Sequence, residues 1–168
     1  RFNDTNWIVY DTLNSRIPSN TVNEIEIDAS GNKWIATDKG LAKFDGTNWT
    51  VYDTSNSELP NNKINSISID ASGSKWIGTS NGLVKFDDTN WTVYNTSNSG
   101  LLDNSISLIT IDASGNKWIG TWASGLLKYD GTNWTACNTS NSGLPDNQIT
   151  LITIDASGNK WIGTRRGG

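Results

Sequence analysis

The chain has 168 residues, 35% of them apolar, a net charge of −4, nine tryptophans, one cysteine and no histidine. An acidic balance argues against a nucleic-acid partner, the single Cys137 allows no internal disulfide, and a chain without histidine lacks the commonest general base. No apolar run nears the ~18 residues of a membrane span, so no membrane segment is expected in this chain, and the lack of methionine points to a processed chain or an excerpt.

In chain order, residues 1–4 (RFND) read as the end of one short strand and residues 7–10 (WIVY) as the next. The stretch IDASGNKWIAT follows at residues 27–37. It returns as IDASGSKWIGT at 69–79 and as IDASGNKWIGT at both 111–121 and 154–164. Its tryptophans, Trp34, Trp76 and Trp118, are 42 residues apart, and Trp161 follows after 43. Trp7, Trp49, Trp91 and Trp134 keep the same spacings. One inserted residue, where TSNGL becomes TWASGL, accounts for the odd step in both series.

Within one unit the alternating run INSISID predicts a half-buried strand over 64–70. Further strands are predicted over 75–79 (KWIGT), 83–87 (LVKFD) and 91–94 (WTVY). No stretch carries a useful helical period. Four short strands in a repeat of this length predict an all-β fold, a β-propeller of four-stranded antiparallel blades. We read a single propeller region over 1–168, with repeats at 7–48, 49–90, 91–133 and 134–168 and residues 1–6 as a part-strand able to complete the last blade.

The hairpin aspartates Asp28, Asp70, Asp112 and Asp155 recur in every copy. Oxygen-rich loops of this kind can hold calcium, but EF-hand spacing is absent, so these residues are expected to hold the turn through backbone N–H groups. No cofactor or metal is expected. Cys137 stands where other copies carry Tyr10, Tyr52 and Tyr94, and reads as a packed position. The copies disagree mainly in the loop after KWIGT. It reads Asp38-Lys39, Ser80-Asn81, Trp122-Ala123-Ser124 and Arg165-Arg166. Varying loops on a rigid scaffold are where binding is expected, with Asp38, Lys39, Ser80, Asn81, Trp122, Ser124, Arg165 and Arg166 as the candidate residues. Trp122 beside two arginines suits a sugar or an acidic group.

The stretch LPNNKINSISIDASGSKWIGTSNGLVKFD (59–87) resembles the two-component regulator propeller repeat, with its Leu-Pro start, Ile-rich strand, D-x-x-G-x-x-W-I-G-T hairpin and following Gly-Leu. The resemblance covers nearly the whole chain. It implies a non-catalytic binding module of sensor type, extracellular or periplasmic, with a glycan or protein ligand. A structural protein assembling into larger rings or fibres is the alternative. Three arrangements stay open: closure as four blades, half-blade exchange between two chains as eight, or an excerpt of a longer propeller.

Overall fold

A computed structural model describes residues 1–167; Gly168, the last residue of the predicted terminal loop, lies outside them. Among the described residues there is no helix. The first sheet is β1 (Val22–Ile27), β2 (Lys33–Thr37), β3 (Gly40–Phe44) and β4 (Trp49–Tyr52), paired antiparallel in that order. The second is β5 (Ile64–Ile69), β6 (Lys75–Thr79), β7 (Gly82–Phe86) and β8 (Trp91–Tyr94). The third is β9 (Ile106–Ile111), β10 (Lys117–Thr121), β11 (Leu126–Tyr129) and β12 (Trp134–Cys137). β13 (Ile149–Ile154) and β14 (Lys160–Thr164) form a two-stranded sheet. Each four-stranded sheet is a propeller blade.

The blades form because each part of the repeat has a local reason for its shape. In the first hairpin, Asp28 Oδ1 accepts the N–H groups of Ser30 at 3.0 Å and Asn32 at 2.9 Å. Gly31 supplies φ +81 with no neighbour in the way. The predicted third strand at 83–87 begins one residue earlier, at Gly82. Its φ is +134, and a Cβ there would meet the Tyr94 carbonyl at 2.9 Å, so only glycine lets the strand start that close to β8.

The core lies between blades rather than within them. The first strands pack side by side in the order β1, β5, β9, β13. Trp34 and Ala36 of the first blade are fully buried with Ile64, Ile67 and Ile77 of the second. Trp76 and Leu83 of the second pack likewise on Ile106, Ile109 and Ile119 of the third. Cys137 sits partly buried beside Leu126 and Ile149, a packed free thiol.

A second bond system runs around the inner strands. Asn23 Nδ2 donates to the Ile64 carbonyl at 2.7 Å, Asn65 Nδ2 to the Ile106 carbonyl at 2.7 Å, and Ser107 Oγ to the Ile149 carbonyl at 2.8 Å. Each blade thus grips the next through the same position of its first strand.

At the N-terminal side, Phe2 and Trp7 bridge and stack with centroids 4.6 Å apart. Phe44 and Trp49 make the same stack inside the first blade, also at 4.6 Å. Tyr10 meets Phe44 and Trp49 across a blade boundary, as Tyr52 meets Phe86 and Trp91. Residues 1–10 therefore form an outer half-blade lying against the first blade, while β13 and β14 form an inner half.

Candidate functional site

Every loop after a KWIAT or KWIGT strand is built on a threonine. Thr37 Oγ1 donates to the Gly40 carbonyl, Thr79 Oγ1 to Gly82 and Thr121 Oγ1 to Gly125, at 2.7, 2.9 and 2.9 Å. The same oxygens accept N–H groups from Lys39, Asn81 and Ser124. The loop's first N–H reaches the blade-crossing link: Asp38 to the Thr21 carbonyl, Ser80 to Lys63, Trp122 to Ser105 and Arg165 to Gln148. Loops and crossing links therefore share one face.

The structure divides the expected residues. Trp122, Arg165 and Arg166 line one open groove of about 430 Å³, with Pro145, Asp146 and Gln148 from the crossing link. Trp122 is 45% exposed. Arg165 Nη1 donates to Gln148 Oε1 at 3.2 Å, a bond between two residues that both line the groove. Asp146 accepts the Gln148 N–H at 3.0 Å. Ser124 turns instead to the Leu102 carbonyl at 3.3 Å. Asp38 accepts from Asn23 Nδ2, and Asp38, Lys39, Ser80 and Asn81 stay in the loops of the first two blades, away from this groove. Gln148 was missed because the crossing links look alike. A signal existed: its equivalents Thr21, Lys63 and Ser105 all differ.

A second groove of about 400 Å³ follows the inner strands. Glu24 accepts from Ser66 Oγ at 2.7 Å and from the Ile67 N–H at 2.8 Å, and Ser66 Oγ accepts the Ile109 N–H at 2.9 Å. The equivalent positions in the next blades are Leu108 and Leu151, so the lining passes from acidic to apolar. Burial, then the Glu24 charge, pushes the Glu26 carboxyl up.

The hairpin aspartates act as turn anchors. Their second oxygens accept the indole N–H of the hairpin tryptophan: Asp28 from Trp34 at 3.0 Å, Asp70 from Trp76 at 2.9 Å, Asp112 from Trp118 at 3.0 Å and Asp155 from Trp161 at 3.1 Å. Among the described residues no cluster of acids, histidines or cysteines suits a metal. Burial alone would raise Asp28 and Asp112, but hydrogen bonds from tryptophan and asparagine side chains and from the turn backbone outweigh it and hold both at about 2. A carboxyl depressed from its unfolded value near 4 contributes stability above that pH and loses it as pH falls toward 2. The thermal midpoint is therefore expected to stay level from pH 8 to 5, where no histidine titrates, and to drop between pH 4 and 2. A midpoint unchanged at pH 2.5 would refute the anchor role.

Comparison with known proteins fits this geometry. No protein-family model matches the chain, and no curated protein does. Solved structures do. The extracellular domain of the hybrid two-component system BT3049 from B. thetaiotaomicron superposes with a TM-score of 0.81 at 26% identity, over 92% of this chain and 22% of that one. The extracellular domain of BT4673 from the same organism gives 0.72 at 25% identity, with the same coverage. The blades are thus similar to those in the extracellular domains of two-component-system proteins. A streptogramin B lyase, 16% identical with a TM-score of 0.69 over 88% of this chain and 49% of the other, shares the fold alone. The chain spans about a fifth of the length of the extracellular domains it matches. Among its described residues no helix is long and apolar enough to cross a membrane.

Proposed function

We propose that this chain is a non-catalytic binding module, on the extracellular or periplasmic side, whose loop face takes an acidic carbohydrate. The observation that carries the reading is the meeting of Trp122, Arg165 and Arg166 in one open groove at the positions where the copies differ. An exposed indole offers a flat face to a sugar ring, and a guanidinium pairs with a carboxylate in two parallel hydrogen bonds. The extracellular sensor domains it resembles support a recognition role. Acid–base catalysis has little to work with. Asp146, the one acid lining the groove, is engaged by a backbone N–H.

Titration calorimetry with oligogalacturonates tests the reading. Trp122→Ala, and separately Arg165→Ala with Arg166→Ala, are expected to weaken binding at least tenfold while thermal unfolding stays unchanged, since all three side chains are exposed. Equal binding by parent and variants would sink the groove as the site. Binding of acidic peptides but not of sugars would move the ligand class.

A further inference from the structure

The three inner hairpin tryptophans each lie between two cations. Trp34 has Lys43 at 5.1 Å on its own blade and Lys75 at 4.7 Å from the next blade. Trp76 has Lys85 at 5.9 Å and Lys117 at 4.7 Å, and Trp118 has Lys128 at 5.8 Å and Lys160 at 4.9 Å. The lysine from the next blade also nears the hairpin aspartate in two of these cases, Lys117 to Asp70 at 3.9 Å and Lys160 to Asp112 at 3.7 Å. Trp161 occupies the same position on β14 with the same aspartate bond, yet it is 64% exposed. By repeat position its two cations are Arg1, in the place of Lys43, and Lys33, in the place of Lys75. Both lie at the other end of the array.

The remaining halves of the junction match in the same way. Gly78 and Gly120 receive Ile106 and Ile149 of the next blade so closely that a Cβ would stand 2.7 and 2.9 Å from them. Gly163 repeats that position, and the residue due to fill it is Val22, 41% exposed on β1. Ile25 and Ile27 beside it are 55% and 61% exposed, whereas their equivalents are fully buried (Ile67) and partly buried (Ile69). The outer half-blade of Phe2, Trp7 and Tyr10 is already docked on the first blade, beside the place an inner half would take.

We propose that a second copy of this chain covers these faces. Each copy lends its inner half-blade, β13 and β14, to the outer half-blade of the other, with Arg1 and Lys33 closing over the partner's Trp161. The argument is continuity: the junction between neighbouring blades, made three times within the chain, is made again between copies. Used twice, a head-to-tail junction closes two copies into a ring of eight blades.

Sedimentation velocity over a wide dilution series tests the closed pair. The expected species has twice the 18.3 kDa mass of one chain. In the proposed pair Lys33→Glu puts a carboxylate where Lys117 and Lys160 near the aspartate of the preceding blade, so that it faces the second copy's Asp155. It is expected to weaken the pair at least tenfold with an unchanged circular dichroism spectrum. In a Cys137→Ser background, Val22→Cys with Gly163→Cys brings thiols to the spacing of a disulfide, and mild oxidation is expected to yield covalent pairs. A monomer throughout the series overturns the proposal and leaves further repeats as the occupant of both faces. So does a pair that forms without the cross-link, or a ladder of longer cross-linked species.

Discussion

Asp70→Ala is expected to destabilise the fold by about 3 kcal/mol. The carboxylate accepts the indole N–H of Trp76, a residue 2% exposed, at 2.9 Å. A buried donor left without an acceptor costs about 1–3 kcal/mol. The turn N–H groups of Ser72 and Ser74 lose their acceptor too, and Lys117 loses the charge 3.9 Å away. For a chain of this size each kcal/mol moves the thermal midpoint by roughly 2–4 °C, so a fall of roughly 6–12 °C is expected in differential scanning calorimetry. Asp155→Ala is the informative partner. It removes the same residue from an almost identical sequence, but Trp161 is exposed and water can replace the carboxylate. Measured at high dilution, its effect is expected to be much smaller. Equal falls for both variants would show that the aspartate acts through the turn and not through the buried indole.

Gly78→Val is expected to cost about 3 kcal/mol by overpacking. Its Cβ would stand 2.7 Å from Ile106 Cγ2 and 3.2 Å from Ile106 Cβ, with Ile109 close behind. These atoms belong to β9, the first strand of the next blade, which pairs with β10 and is packed between β5 and β13. The first blade supplies a control: Ala36 occupies the equivalent position, fully buried against the second blade. One methyl group can therefore be absorbed there by small shifts, and Gly78→Ala is expected to cost less than half as much as the valine. Urea unfolding midpoints for the two variants decide it. A valine variant within ~0.5 kcal/mol of the parent would mean that the blades slide apart easily.

The blade was legible in the sequence because its determinants are local and repeated. Asp28, Gly31 and Trp34 fix a hairpin within seven residues, and the copies state the rule four times. The loop face was legible through Trp122 and Arg165, where copies that otherwise agree do not. What escaped was contact between repeats. Glu24, Ser66 and Ile109 belong to three different blades, and nothing in the sequence near Glu24 announces a hydroxyl and an amide forty or more residues away. Gln148 escaped for a different reason: its bond to Arg165 lies within one repeat, but the crossing link that carries it reads much like the others. The half-blades at the two ends were legible from the repeat count, but which faces they leave exposed was not, because Val22 and Trp161 are each spelled like a buried neighbour.

The threonine beneath each loop has a consequence for how such a face can change. Thr79 Oγ1 reaches the carbonyl of the residue three positions on, and Thr121 Oγ1 reaches four positions on, with bonds of equal length. The extra residue in the third blade is absorbed entirely above that bond: the strands on either side keep the same pairing, Trp118 opposite Lys128 as Trp76 is opposite Lys85. Length and sequence at the tip are thus uncoupled from the sheet below. A lineage carrying this repeat can trial new loops by insertion without relearning how to fold, and a designer can graft recognition segments between Thr121 and Gly125 on the same terms.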